Sequence, residues 1–487
     1  MKVSIITEAL NETGCGHLTR CQSLSQAFQE KNIYPTLYIN GDRSCLSVLN
    51  EKENFKIIDW LNRPAQLLSE ISNSDLLIID SYLAGKEYYE KFSEQCSLSV
   101  FIDDNFRIEY PEGIILNSTV GAELISSYRK TDLLLGTKYT PLRKEFWNVP
   151  SRKINQNISS LLITFGGQDN KNLTPSVLAS VQESFPQINI SVVIGQGFSN
   201  SANIDKLKNS RTTLIYSPNA SEMYNLMIES DIAISAAGQT LYELAAAGTP
   251  SIIIAVAENQ KQSMVEWKKK GFLLDTIYFG DVNHIKKIHD QLYKLQSITL
   301  RKKLSRIGRI NVDGNGSQRV IKKLINFYCD KYKFYFRSAV ESDSKKIFDL
   351  SNDPIVRAQS INQSSIPPLE HQEWFIEKIN DDNCLFLLAL DKQEKLIGQV
   401  RFQIEYESAI VSVSISNEFR GKGFSKDILI KACNKLFANH RSVKKIIAYI
   451  LPDNSPSIKG FKSAGFILSG EIEISGKAFL KYLLTKT

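Results

Sequence analysis

The sequence predicts an α/β protein: two Rossmann-like domains in tandem, then a smaller α+β domain. Three observations predict it. Short apolar runs alternate with helix-patterned stretches from the first residues onward. That alternation breaks at a polar stretch near residue 150 and restarts, and from about residue 334 strands follow one another without intervening helices. At 487 residues the chain also exceeds what one ordinary core accommodates. The expected divisions are 1–152, 153–332 and 333–487.

The first domain opens on the strand-like "KVSIIT". In "LTRCQSLSQAFQEKN" the apolar residues Leu18, Cys21, Leu24 and Phe28 recur at helical spacing. "TLYIN", "FKIID", "LLIID" and "LSVFID" follow as buried strands of a parallel sheet. "WNVPSRKINQNIS" is polar and linker-like. Five further buried strands then appear: "SSLLITFGG", "INISVVIG", "TTLIYS", "DIAISAAG" and "PSIIIAVA". "RINVDGNGSQRVIKKLINFY" closes this half with an N-G turn and a basic helix. Two such halves predict a cleft between Rossmann-like domains, the GT-B arrangement, with ligands outside the carboxyl ends of the strands. In the last domain "FYFRSAVESDSKKIFDLSND" reads as strand and helix. "CLFLLAL", "KLIGQVRFQIEYES" and "AIVSVSIS" read as a strand meander, "SKDILIKACNKLFAN" as a helix and "KKIIAYI" as a strand.

Composition narrows the function classes. Hydrophobic content of 43% and charged content of 23% are those of a globular protein. The seven cysteines are scattered without a C-x-x-C pair, so they read as thiols of a reducing compartment. The first apolar run is too short for a signal peptide and no 18-residue apolar stretch exists, so a cytoplasmic location is expected. The net charge of +7 is local: ten Lys/Arg against two Asp lie between Arg301 and Lys333. That run reads as a solvated helix face, and nothing resembling a nucleic-acid groove accompanies it.

The chemistry begins at "GCGHLTRC", residues 14–21, where the first strand turns into the first helix. Gly14 and Gly16 permit a sharp turn and close approach of a ligand. Helix N-termini present free N–H groups to a diphosphate. His17 stands at that point, and an imidazole accepts a proton near neutral pH. The same residues also fit a buried, hydrogen-bonded structural histidine. In the second half, "SAAGQTLYELAAAGTP" puts Gly238, Gln239 and Thr240 between a strand and a helix, suited to a pyrophosphate. Glu243 follows one turn later, placed to take ribose hydroxyls. Gly166 and Gly167 of "ITFGGQDN" form a second glycine turn. No D-x-D metal motif is apparent, and no metal is expected.

These blocks carry a resemblance. "GCGHLTRC", "LLIIDSY", "VFIDD", "DLLLGTKYTPLRKEF", "LLITFGGQDNKNLT" and "SAAGQTLYELAAAGTPSIIIAVAENQ" resemble, in order, the UDP-sugar hydrolases of pseudaminic acid synthesis. That family is itself similar to GT-B glycosyltransferases. The resemblance covers the first 330 residues. It implies hydrolysis of UDP-2,4-diacetamido-2,4,6-trideoxy-β-L-altropyranose to free sugar and UDP. It further implies that His17 activates water for inverting attack at the anomeric carbon and that Tyr82 and Asn259 line the sugar pocket. Glu243 would hold the ribose, and Gln260 and the glycine turns would help to bind the UDP-sugar. The family usually carries Arg and Asp after the first strand; Ile6 and Glu8 stand there here.

A second block, "VSVSISNEFRGKGFSKDIL", runs from a strand through Arg420, Gly421, Lys422, Gly423 and Ser425 into a helix. It resembles the R-x-x-G-x-G/A loop of GNAT acetyltransferases, which cradles the acetyl-CoA pyrophosphate with backbone amides. "NSPSIKGFKSAGF" matches a later GNAT segment. The resemblance covers 334–487 and implies acetyl-CoA as co-substrate, bound by these residues with Ile415 and Asn454. Phe461 stands where many GNAT enzymes carry a tyrosine that protonates the leaving thiolate. His371, Glu373, Glu405 and Glu407 are equivalent candidates for the general base, and each reads first as a surface residue. Together the blocks imply one enzyme of nonulosonic acid synthesis that acetylates a 4-amino UDP-sugar and then removes UDP. A GT-B glycosyltransferase with an acetyltransferase, and an active hydrolase with a degenerate acyl-CoA-binding module, fit the same residues. The sequence leaves the oligomeric state open.

Overall fold

The computed structural model describes residues 1–10, 16–41, 49, 53–124, 132–198 and 201–486. The chain forms two compact units, residues 2–323 and 324–487.

The larger unit holds both Rossmann-like halves. Its first sheet contains β1 (Val3–Ala9), β2 (Thr36–Gly41), β3 (Asn54–Ile57), β4 (Leu76–Asp80), β5 (Ser99–Ile102), β6 (Ile114–Asn117) and β7 (Asp132–Leu135). They pair in parallel in the order β3-β2-β1-β4-β5-β6-β7. Strands β1, β4, β5 and β6 are buried along their whole length, as expected of a parallel sheet covered on both faces. The second sheet contains β8 (Ser160–Thr164), β9 (Asn189–Ile194), β10 (Thr212–Tyr216), β11 (Ile232–Ala236), β12 (Ser251–Ala255) and β13 (Ile277–Tyr278). It is parallel too, in the order β10-β9-β8-β11-β12-β13. In each half the strand order reverses beside the first strand, at β1/β4 and β8/β11. That reversal opens a crevice where a doubly wound sheet binds its ligand.

The stretch near residue 150 is a pinned connection. Arg152 donates to the carbonyls of Met227 (2.9 Å) and Ser230 and to the Thr249 hydroxyl (2.9 Å). Arg301 donates to the carbonyls of Leu295, Asn155 and Gln156 at 2.8–2.9 Å, and Arg309 to those of Val149 and Pro150. The basic run is a solvated face at Lys302, Lys303, Arg306, Lys322, Lys323, Lys331 and Lys333, but not at Arg301. Arg301 is wholly buried, and its planar fork is taken up by three backbone carbonyls. The N-G turn appears as expected. Gly314 has φ +83°, and a Cβ there would lie 2.0 Å from the Phe146 carbonyl oxygen.

The smaller unit has a mixed seven-stranded sheet. Its strands are β14 (Tyr335–Ser338), β15 (Cys384–Leu390), β16 (Leu396–Glu405), β17 (Ser408–Ile415), β18 (Lys445–Ile450), β19 (Ile467–Ile474) and β20 (Lys477–Thr485), in the order β14-β15-β16-β17-β18-β20-β19. The meander β14 to β17 is antiparallel, and β17 pairs with β18 in parallel. The hairpin β19–β20 adds two strands that alternation did not reveal, because β19 is exposed along nearly all its length. The two compact units divide at 323/324. The helix Gly316–Tyr332 crosses that division, and Tyr328 and Tyr332 lay their rings 5.5 and 4.3 Å from the Lys431 ammonium.

Candidate functional site

His17 is the second residue of the helix Gly16–Gln29, at the carboxyl end of β1. The residue is 6% exposed, and Nδ1 lies 2.7 Å from Oδ1 of Asp80, the last residue of β4. Arg20, one helical turn on, donates from Nε to Asp80 Oδ2 (2.5 Å), from Nη2 to Asp80 Oδ1 (2.6 Å) and from Nη1 to Asp104. Burial alone would raise the Asp80 pKa. The charges of Arg20 and His17 outweigh it and hold the carboxyl well below the usual carboxylate range. An ionised carboxylate only accepts, so Nδ1 carries a proton, and in the neutral ring the lone pair then sits on Nε2. Arg20 Nη2 also approaches Nδ1 (3.2 Å), but its bond to Asp80 is much shorter.

Glu8 is a second, fully buried carboxylate. It accepts from the Ser81 hydroxyl and from the N–H groups of Tyr82 (2.9 Å) and Leu83 (3.4 Å). Its Oε1 lies 4.0 Å from His17 Nε2. Tyr82 packs edge-on against the His17 ring, with centroids 4.4 Å apart, and donates to Asp104 (3.2 Å). Burial, reinforced by Asp104, keeps its phenol protonated far above neutral pH.

Of these residues His17, Arg20, Tyr82 and Asp104 line a cavity of about 410 Å³ between the carboxyl ends of the two sheets, while Glu8 and Asp80 are not in its wall. The structure brings together Gly16, His17, Tyr82, Gly238, Gln239, Asn259 and Gln260, all singled out from sequence, in its wall. A Cβ added at Gly16 or Gly238 would meet nothing within 4 Å, so both helix starts leave space on their ligand side. Gly238 caps the helix Gln239–Ala247 without a side-chain hydrogen bond. Such a pair of open N-termini suits a diphosphate.

Other expected residues lie elsewhere. Gly14 is outside the described residues. Gly166 and Gly167 do not line the cavity; the Gly167 carbonyl instead accepts from Gly197 N–H (3.0 Å). Thr240 is also absent from the wall. Glu243 is 3% exposed and receives Nε (2.8 Å) and Nη2 (2.7 Å) of Arg143 on Oε1. Burial raises its pKa, and Arg143 opposes the rise. Sequence reasoning missed Glu8, Arg20, Asp80 and Asp104 as one network. The available signal was position: "LLIIDSY" and "VFIDD" put carboxylates at the carboxyl ends of buried parallel strands. Among the described residues no group of three or more His, Cys, Asp or Glu is arranged to hold a metal.

In the smaller unit, β17 pairs with β18 only from Ser408 to Ile410 and then diverges from it. The loop after β17 turns through Gly421 (φ +72°) and Gly423 (φ +83°), conformations that suit glycine, with open space at each Cβ position. Gly423 caps the helix Phe424–Asn439, and no side chain occupies its first-turn amides. The loop thus fits a pyrophosphate. Arg420 braces it by donating to the Ile415 carbonyl (2.9 Å) and Asp353 (2.8 Å). Lys422 lies over the Phe419 ring. Ser425 packs beside Gly460, where a Cβ would lie 2.6 Å from its Oγ. Asn454 accepts from Ser457 N–H (3.2 Å) and so caps the helix Ser455–Ser463. Phe461 is buried edge-on against Phe466, with centroids 5.0 Å apart. His371 is 1% exposed among Phe348, Trp374 and Phe375, so it is no surface residue, and burial lowers its pKa. Glu373, Glu405 and Glu407 are exposed, and Glu407 pairs with Lys444.

Comparison with known proteins agrees with this division. Residues 160–306 match the glycosyltransferase family 28 C-terminal domain, and residues 336–482 match the acetyltransferase (GNAT) domain. An uncharacterized protein of Methanocaldococcus jannaschii is 26% identical over 96% of both chains. A Helicobacter pylori protein named pseudaminic acid cytidylyltransferase and UDP-2,4-diacetamido-2,4,6-trideoxy-beta-L-altropyranose hydrolase is 29% identical over 57% of this chain, which spans 48% of that protein. The spore coat polysaccharide biosynthesis protein SpsG of Bacillus subtilis is 26% identical over 67% of this chain and 99% of its own length. The chain therefore joins a domain of the glycosyltransferase family 28 C-terminal type to a GNAT acetyltransferase domain, and its sugar-nucleotide half resembles the UDP-sugar hydrolases of pseudaminic acid synthesis.

Proposed function

We propose that this chain is a bifunctional enzyme of nonulosonic acid synthesis, working through domains at 1–152, 153–332 and 333–487. In the first two, His17 Nε2 takes a proton from water. The water oxygen bonds to the anomeric carbon of a UDP-sugar from the face opposite UDP. The bond from that carbon to the UDP oxygen breaks, and UDP leaves with the electron pair. Asp80 accepts from Nδ1–H and stabilises the imidazolium as it forms. Gly16, Gly238 and Gln239 receive the diphosphate, and Tyr82, Asn259 and Gln260 the sugar. The Oε2 of Glu243, which has no hydrogen bond among the described residues, takes the ribose. UDP-2,4-diacetamido-2,4,6-trideoxy-β-L-altropyranose is the substrate class named by the Helicobacter pylori relative. The observation that carries this reading is His17 in the cavity wall, paired with Asp80.

In the GNAT unit the amine of a 4-amino UDP-sugar attacks the thioester carbon of acetyl-CoA. A C–N bond forms, the C–S bond breaks, the amine loses one proton and the thiolate gains one. Phe461 has no hydroxyl to supply that proton. Its burial against Phe466 favours a second reading, in which this unit binds acetyl-CoA without transferring the acetyl group.

Incubation of the full chain with the diacetamido UDP-sugar in H₂¹⁸O tests the first reaction. The expected product is free sugar of inverted configuration with ¹⁸O at the anomeric carbon. UDP release that requires an added sugar or lipid acceptor would instead identify a glycosyltransferase. Among the described residues no helix is long and apolar enough to cross a membrane.

A further inference from the structure

One half-buried arginine of the smaller unit has no hydrogen bond or ion pair among the described residues. Arg337 forms a bidentate pair with Asp343 (2.6 and 2.7 Å), and Arg420 donates to Asp353 and the Ile415 carbonyl. Arg357 donates to the Asn362 and Ser364 carbonyls and the Ser360 hydroxyl. Arg401 is half-buried too, yet makes no hydrogen bond or ion pair among the described residues. Its guanidinium carbon lies 4.7 Å from the centre of the Trp374 ring, whose face stabilises it only in part. Burial lowers its pKa, and the titratable neighbour acting on it is the Cys384 thiol. A partly desolvated guanidinium without an anion is costly to maintain in a folded protein.

Its position gives the charge a use. Side chains alternate along β16: Val400 and Phe402 enter the core, while Gln399, Arg401 and Gln403 take the other face. Arg401 stands opposite Ser412, and Gln399 opposite Ser414. Both serines lie in the part of β17 that has already left β18, ahead of the 420–425 loop. Gln399 is 8% exposed, and its Oε1 has no hydrogen-bond partner. An unpaired guanidinium on an indole plate, an unpaired carboxamide and two serines thus share one face at the opening between β17 and β18.

We propose that Arg401 on Trp374 is the anion-binding element of the acetyl-acceptor site, so that this unit takes a phosphate- or diphosphate-bearing acceptor rather than a cationic polyamine or a neutral sugar. The inference rests on the reading of this unit as an acetyltransferase.

The test uses the full chain with His17→Asn, so that the acceptor survives. Rates are compared for a UDP-linked 4-amino sugar and the same amino sugar without nucleotide. Loss of a charge-assisted contact to phosphate corresponds to about 10- to 100-fold in affinity. The UDP-linked acceptor should therefore be preferred by about that factor in kcat/KM. Arg401→Gln should bring the two acceptors within about threefold of each other, through KM, and Arg401→Lys should restore part of the preference. Unchanged acetyl-CoA affinity checks that the variants are folded. Equal use of both acceptors by the parent chain, or a preference untouched by Arg401→Gln, would overturn the proposal. If neither acceptor is acetylated, the acetyltransferase reading fails, and calorimetry with UDP at saturating CoA decides the anion site separately. Two UDP per chain, falling to one in Arg401→Gln, supports it; one in both overturns it.

Discussion

The helix Gly16–Gln29 and the helix Phe424–Asn439 each begin beyond the end of a strand, yet they equip their N-termini differently. At the first, His17 and Arg20 turn back onto Asp80 and Asp104 at the ends of neighbouring strands. At the second, Gly421 and Gly423 adopt positive φ and leave amides and open space. One end presents side-chain chemistry held by a network; the other presents a main-chain cradle. The first should therefore fail when a functional group is removed, and the second when a side chain is added.

The largest effect should come from His17→Asn. It removes the proton acceptor while leaving the cavity wall in place, so turnover should fall by about 10²–10⁴ with UDP affinity nearly intact. Turnover within about threefold of the parent chain would take His17 out of the mechanism. Asp80→Asn sharpens the same side of the comparison. An amide at this point no longer fixes the Nδ1–H tautomer, and kcat should fall by about 10²-fold or more with little change in KM. ¹⁵N NMR of His17 should show the tautomer populations shift; an unchanged tautomer would mean that Asp80 acts only through Arg20.

On the main-chain side, Gly423→Asp places a Cβ at φ +83° and a negative charge against the pyrophosphate. Acetyl-CoA binding by calorimetry should weaken by about 100-fold or more, whereas hydrolysis in the other unit stays at parent level. Retained acetyl-CoA affinity would place the cofactor's phosphates elsewhere. Glu243→Gln should weaken UDP binding by about ten- to hundredfold if the ribose bonds to this carboxylate. Glu243→Ala is the poorer probe. It strands Arg143 without its partner, which costs about 3–5 kcal/mol of stability for a buried pair. The smallest effect is expected from Phe461→Tyr. If only the hydroxyl is missing, acetylation should rise a few-fold; an unchanged rate would mean that the proton comes from solvent or another group.

The sequence by itself determined the parts that depend on local pattern. Buried strands β1, β2, β4, β5, β8, β9, β11 and β12 were legible as apolar runs because a covered parallel sheet demands them. Strands β3 and β10, expected to be buried too, are largely exposed because they lie at the sheet edges. The glycine turn at Gly421 and Gly423 was legible because few other residues tolerate positive φ. His17, Tyr82 and Asn259 were found through ordered motif blocks, and the fold unites them in one wall. Only the tertiary structure decided how charge is paired. Glu8, Asp80 and Asp104 lie on three different strand ends, far apart in sequence, and become one network when the sheet sets them side by side around His17 and Arg20. The same reason separates three arginines that look alike on paper. Arg301 is consumed by backbone carbonyls and Arg143 by Glu243, while Arg401 is left on an indole face without an anion. A guanidinium's role depends on which acceptors reach it within about 3 Å, and that distance is set by packing between segments remote in the chain.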